Sequence, residues 1–168
     1  MIKIGICGAG LIGASWAVGF AAHGFNVLVY DTNEKTLNNF FYVVDQLAND
    51  IKIFAKVDIK KIKSRIKASK NFEDICKDTT LIQESIVEDL GKKREIFNEL
   101  ERYASTDTIL ASSTSYLLPS EISKNLKNKE RCIVAHPALP PHIVPFVEIC
   151  PSSKTSSSVI RKAKEIYE

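Results

Sequence analysis

Three side chains in the second half of the chain are of types that could move a proton. His136 ends an apolar run over residues 132–135, and an imidazole titrating near neutrality suits the removal of a hydroxyl proton while hydride leaves carbon. Glu148 lies twelve residues further on in a second apolar run, 146–149. A carboxylate in such a strand needs a partner, and His136 is the natural one: a bond to one ring nitrogen would fix the tautomer and steady the imidazolium. Ser115 closes the run Ser112-Ser113-Thr114-Ser115 after a short apolar stretch. Plainer roles stand beside these. Ser115 could cap a turn, and His136 before Pro137 could be an extended loop residue.

A second constellation points to a phosphate ligand. Gly8-Ala9-Gly10-Leu11-Ile12-Gly13 has the form G-x-G-x-x-G, after a strand-like run and before a helical one. In that setting the first glycine makes a tight turn, the second admits a pyrophosphate, and the third lets helix and strand pack closely. Leu11 and Ile12 open the helix, whose free N–H groups and partial positive charge face the phosphates. Asp31 ends the next apolar run, twenty-one residues past Gly10. A carboxylate there can grip an adenosine ribose and would repel a 2′-phosphate, and no arginine follows it, so the expected cofactor is NAD rather than NADP. Six of the seven glycines fall within the first twenty-four residues, where the backbone must turn or be approached.

The elements that would position these residues alternate. Residues 2–7 and 26–30 are apolar strands flanking a helix from Leu11 to His23, a βαβ unit. A long helix from Asn33 places Leu37, Phe40, Val44, Leu47 and Ile51 on one face. Strands at 79–83, 108–111 and 132–135 then alternate with helices at 89–103 and 119–126, and a helix at 155–168 closes the chain. The pattern predicts an α/β, Rossmann-type doubly wound sheet, mostly parallel. Only nine residues, four of them proline, separate His136 from Phe146. A parallel crossover needs about a dozen or more, so the strand at 146–149 is expected to run antiparallel at the sheet edge.

Composition narrows the classes. The 168 residues are 45% apolar and 26% charged, ordinary for one globular domain of about 150 residues. The net charge of +3 is too small to argue for nucleic acid, and no run of eighteen apolar residues is present to span a membrane. No basic-then-apolar leader precedes Ile2-Lys3-Ile4, which makes a cytoplasmic location the expectation. Cys7, Cys76, Cys132 and Cys150 are scattered without metal spacing and read as buried, reduced thiols. His23 and His142 read as surface residues. The basic stretch 52–70, eight Lys and Arg against Asp58 alone, reads as a solvated helix face or as a site for an acidic group such as a CoA phosphate.

The stretch 8–16 with Trp16, the pairs Gln83-Glu84 and Glu88-Asp89-Leu90, the serine run and Ile133-Val134-Ala135-His136-Pro137 together resemble the 3-hydroxyacyl-CoA dehydrogenase superfamily. Trp16, Pro140-Pro141 and Phe146-Val147-Glu148 make the chain similar to its λ-crystallin branch, the L-gulonate 3-dehydrogenases. The resemblance implies an NAD-dependent oxidoreductase of fatty-acid or sugar-acid metabolism. Its small-molecule substrate would be a 3-hydroxyacyl-CoA or a hydroxy sugar acid, oxidised to a ketone. It assigns His136 as general base, Glu148 as its partner and Ser115 as a contact to substrate oxygen or nicotinamide. It adds Glu88 and Lys93 as cofactor contacts; on residue chemistry alone these could equally be charges at a helix start.

Two departures qualify it. The family pattern H-x-x-N-P has Leu139 in place of asparagine, and leucine has no hydrogen-bonding side chain. The helical domain that closes the substrate site and forms most of the dimer has no counterpart here. Residues 1–168 therefore read as an NAD-binding domain lacking its last strand and that second domain. Its expected partners are a separately encoded helical domain or a second copy. The alternatives are half of a split dehydrogenase and a non-catalytic, crystallin-like protein.

Overall fold

The computed structural model describes residues 2–168. The chain alternates β1 (Lys3–Cys7), α1 (Leu11–Ala22), β2 (Asn26–Tyr30), α2 (Glu34–Ile51), α3 (Ile59–Ser64) and β3 (Ile66–Ser69). It continues with α4 (Phe72–Cys76), β4 (Leu81–Glu84), α5 (Leu90–Tyr103), β5 (Ile109–Ser112), α6 (Pro119–Ile122), β6 (Cys132–Pro137), β7 (Val147–Pro151) and α7 (Ser157–Tyr167). The strands form one seven-stranded sheet in the order β3-β2-β1-β4-β5-β6-β7. All pairs are parallel except β6 with β7. The expected antiparallel edge is present because the proline-rich connection is too short to cross the sheet.

Every other side chain of β1 points the same way. Ile4 and Ile6 join a core layer with Trp16, Phe20, Phe40, Val44, Ala163 and Ile166 from α1, α2 and α7. Cys7 joins the opposite layer with Ile75, Phe97, Leu100 and Ile122 from α4, α5 and α6. Burial on both faces explains the near-continuous apolar runs of the parallel strands. The order reverses between β1 and β4, so a crevice opens at their carboxyl ends, where dinucleotides bind in such sheets.

Several elements differ from the sequence reading. The basic stretch is not a single helix face: it holds α3 and the edge strand β3, whose Ile66 is buried while Lys67 faces solvent. Some of its charge is paired, Lys63 with Asp45 at 2.5 Å and Lys70 with Glu34 at 2.8 Å. The helix expected over 119–126 stops at Ile122. Cys7, Cys76 and Cys132 are buried, but Cys150 is exposed, because it points outward from the edge strand β7. His142 is buried, not a surface residue, and pairs with Ser15.

Candidate cofactor and proton-transfer site

The glycine loop between β1 and α1 has the geometry its spacing predicts. Gly8 adopts φ +106°, a region that favours glycine, and a Cβ there would lie 2.6 Å from the Ser85 carbonyl oxygen. A Cβ at Gly13 would lie 1.8 Å from the Gly8 carbonyl oxygen, so only glycine lets α1 approach β1 this closely. A Cβ at Gly10 would meet nothing within 4 Å. The space in front of the second glycine is therefore open, as a diphosphate seated against backbone requires. Among the described residues no side chain caps α1, and its first turn, starting at Leu11 and Ile12, carries no acid. That helix end is left to attract an anion.

Asp31 follows β2 at the rim of the same cavity. Its Oδ2 accepts from the Ala9 N–H at 2.7 Å and its Oδ1 from the Asn33 N–H at 2.7 Å. Both oxygens retain acceptor capacity for ribose hydroxyls. Asn33 in turn caps α2 through its side chain. The cavity, about 720 Å³, is lined by Gly8, Gly10, Asp31, Thr32, Ser85 and Ile86 among others. The residues present thus fit a dinucleotide: an open backbone cradle, a helix start uncapped among the described residues and, on the same cavity, a carboxylate after the neighbouring strand β2.

Beyond β4 a buried ionic unit joins three elements. Lys93 of α5 is 1% exposed and its Nζ lies 2.7 Å from Glu84 Oε1 and 3.2 Å from Glu88 Oε2. Glu84, 0% exposed, also accepts from Ser112 Oγ at 2.5 Å and from the Ile86 N–H at 2.7 Å. Glu88 accepts from Thr114 Oγ1 and, at 3.3 Å, from the Ser115 N–H. Partial burial pushes the Glu88 carboxyl up, but the Thr114 hydrogen bond and the Lys93 charge outweigh it and hold it below the ordinary carboxylate value. The unit fixes the loop after β5, which carries Ser115. Ser115 is exposed, and among the described residues its hydroxyl has no hydrogen-bond partner; none links it to His136.

His136 and Glu148 face one another directly across the antiparallel pair β6–β7. Glu148 Oε2 lies 2.9 Å from His136 Nδ1. The histidine side chain is 32% exposed and the glutamate 63%, so the pair opens to the surface at the carboxyl end of β6. The register does the positioning: opposite residues on one face of such a pair sit within side-chain reach. Leu139, in the connection, is exposed.

Sequence reasoning missed a polar cluster behind the site. Ser113 Oγ receives Trp16 Nε1 at 3.1 Å and Gln83 Nε2 at 2.7 Å and lies 2.8 Å from Ser85 Oγ. Gln83 is fully buried in β4, and a glutamine in an apolar strand was the available signal, since a buried amide must find partners.

Fold and site together define a dinucleotide-binding α/β domain with a histidine–carboxylate pair at its edge. The family model for the 3-hydroxyacyl-CoA dehydrogenase NAD-binding domain matches residues 3–168, and the chain belongs to this family, with NAD as its cofactor. It is 33% identical over 170 residues to the human lambda-crystallin homolog, covering 97% of this chain and 52% of that protein. It is 33% identical over 170 residues to L-carnitine dehydrogenase of Staphylococcus epidermidis, covering 99% of this chain and 52% of that one. The chain thus spans about half the length of these relatives. Among solved structures it superposes on a diketoreductase with a TM-score of 0.93 at 26% identity, covering 99% of this chain and 60% of that one. It shares the fold of 3-hydroxybutyryl-CoA dehydrogenase from Escherichia coli, TM-score 0.92 at 23% identity, over 99% of this chain and 36% of that one.

Proposed function

We propose that this chain is the cofactor-binding half of an oxidoreductase that oxidises a hydroxyl β to a carboxyl or thioester, with His136 as general base. The observation that carries this reading is the 2.9 Å His136–Glu148 pair at the carboxyl end of β6, in the sheet whose β1 ends at the glycine cradle. With Nδ1–H donated to Glu148, Nε2 carries the lone pair and is free to take the substrate proton, and Glu148 steadies the cation that results. NAD, when bound, supplies the hydride acceptor. The Ser115 hydroxyl, which bonds to none of the described residues, is left to meet a substrate oxygen or the nicotinamide. Glu88 meets the cofactor held by Lys93 beneath it. Asp31 grips the adenosine ribose and disfavours a 2′-phosphate. The substrate side is completed by a helical partner domain or a second copy.

Leu139 favours a second reading, a nucleotide-binding protein without turnover, because it leaves no polar side chain where the family pattern places an asparagine. The two readings separate in one assay. The chain is incubated with NAD and 3-hydroxybutyryl-CoA, L-gulonate or L-carnitine, and NADH formation is followed. We expect weak turnover from the isolated chain, abolished in His136→Ala while NAD affinity holds. An unchanged rate in that variant contradicts the base assignment, and turnover that depends on His136 excludes the second reading.

A further inference from the structure

Tyr167, the last residue of α7, lies against α1 and the sheet, and burial pushes its phenol well above its ordinary pKa. It stays protonated and donates to Gln83 Oε1. The Ala135 carbonyl, which can only accept, fixes the glutamine amide and leaves Oε1 facing the phenol. Gln83 Nε2 donates to Ser113 Oγ at 2.7 Å and to the Ala135 carbonyl at 3.2 Å. Trp16 Nε1, which can only donate, gives a second bond to Ser113 Oγ at 3.1 Å.

A serine hydroxyl has two lone pairs and one proton. Both lone pairs of Ser113 are taken by obligate donors, so its proton must go to its third neighbour, Ser85 Oγ, at 2.8 Å. Ser85 is thereby an acceptor toward the protein. Its N–H is already bonded to the Cys7 carbonyl at 2.8 Å, and its own carbonyl backs onto Gly8. One group is unused: the Ser85 hydroxyl proton, for which the described residues offer no acceptor. Ser85 stands on the wall of the cavity that Gly8, Gly10 and Asp31 line.

We infer that Ser85 is a cofactor-binding residue whose hydroxyl proton is aimed, by a one-way hydrogen-bond chain from Tyr167 and Trp16 through Gln83 and Ser113, at an acceptor oxygen of the ribose–diphosphate portion of NAD. The direction is set by Trp16 Nε1 and Gln83 Nε2, which can only donate to Ser113 Oγ. The chain acts in advance of binding: the donor is oriented before the ligand arrives, which reduces the ordering cost of the contact. It also ties the cofactor to α7 and the core of α1. The inference rests on NAD lying in the glycine cradle and adds a residue to that site.

The test is calorimetric titration of NAD into the wild-type chain and the Ser85→Ala, Trp16→Phe and double variants. Ser85→Ala should weaken NAD about threefold to tenfold, the effect of one hydrogen bond to the cofactor. Trp16→Phe frees a lone pair on Ser113, so Ser85 can turn its proton inward. NAD should weaken comparably, and Ser85→Ala should then cost less than about twofold in that background. Trp16 is the only tryptophan, so its emission gives a second readout that does not depend on the Trp16 variants folding. Saturating NAD should change it in the wild type and much less in Ser85→Ala. Unchanged affinity and an unchanged emission response in Ser85→Ala, or fully additive costs in the double variant, would overturn the inference while leaving the cradle intact. A wild-type chain that binds no NAD would remove the cradle placement and this inference with it.

Discussion

The cradle and the β6–β7 hairpin solve their tasks with different materials. The cradle is made largely of backbone: three glycines and a helix start, with Asp31 beside them already pinned by two N–H groups. Its shape is set by closely packed parallel strands that are buried on both faces. The hairpin is made of side chains on the last pair of the sheet, half open to solvent, with the partner of His136 on the outermost strand. In the proposed function, affinity for the nucleotide is built into the core, whereas proton chemistry is added at the margin, where a single register shift would undo it. Binding without turnover is an easy state for this fold to reach, and turnover without binding is not.

That asymmetry can be broken at either end. The largest effect is expected from Gly13→Ala. Its Cβ would sit 1.8 Å from the Gly8 carbonyl oxygen, and only backbone movement relieves that. NAD affinity measured by calorimetry should fall about a hundredfold or more, since the diphosphate contacts depend on that backbone. If Gly13→Ala binds NAD normally, the cradle is not the site. His136→Ala is the converse case, costing rate and sparing affinity.

A smaller effect sharpens the boundary between the two regions. His142, in the hairpin connection, is tied to α1: its backbone N–H donates to Ser15 Oγ at 3.1 Å, and its Nδ1 lies 2.6 Å from the same oxygen. Nε2 is buried without a hydrogen bond, 3.7 Å from Asp50 Oδ2. Burial lowers the His142 pKa below its ordinary value of 6.5, with the Asp50 charge opposing. Below about pH 6.5 the unfolded chain takes up a proton that the folded one refuses, so this contribution to stability is present above that pH and is lost as pH falls through the lower, folded value. His142→Gln should cost about 1 kcal/mol at neutral pH, one hydrogen bond's worth, and the gap to the wild type should narrow as the solution is acidified. Denaturant titrations at a series of pH values measure this. A gap that widens in acid contradicts the assignment.

How much of this was legible differs between the regions for a physical reason. Cradle residues act through backbone conformation at fixed chain spacing, so Gly8, Gly10, Gly13 and Asp31 can be read in a line. The short, proline-rich connection likewise gave away the antiparallel edge, and with it the facing of His136 and Glu148. What could not be read depends on contacts distant in the chain. β3 hides in a lysine-rich stretch because an edge strand needs only one buried face, here Ile66. Lys93 looks like an exposed charge until Glu84 and Glu88 are seen closing around it. His142 looks like a loop residue until Ser15, on the opposite side of the sequence, meets it. The direction of the Ser113–Ser85 bond requires Trp16, ninety-seven residues from Ser113.

The central claim is that residues 8–31 hold NAD and discriminate against NADP. Titrating both nucleotides into the wild-type chain by calorimetry tests it most directly. The account predicts binding of NAD, with NADP weaker by about tenfold or more because Asp31 meets its 2′-phosphate. Equal affinities, or no binding of either nucleotide, would contradict it.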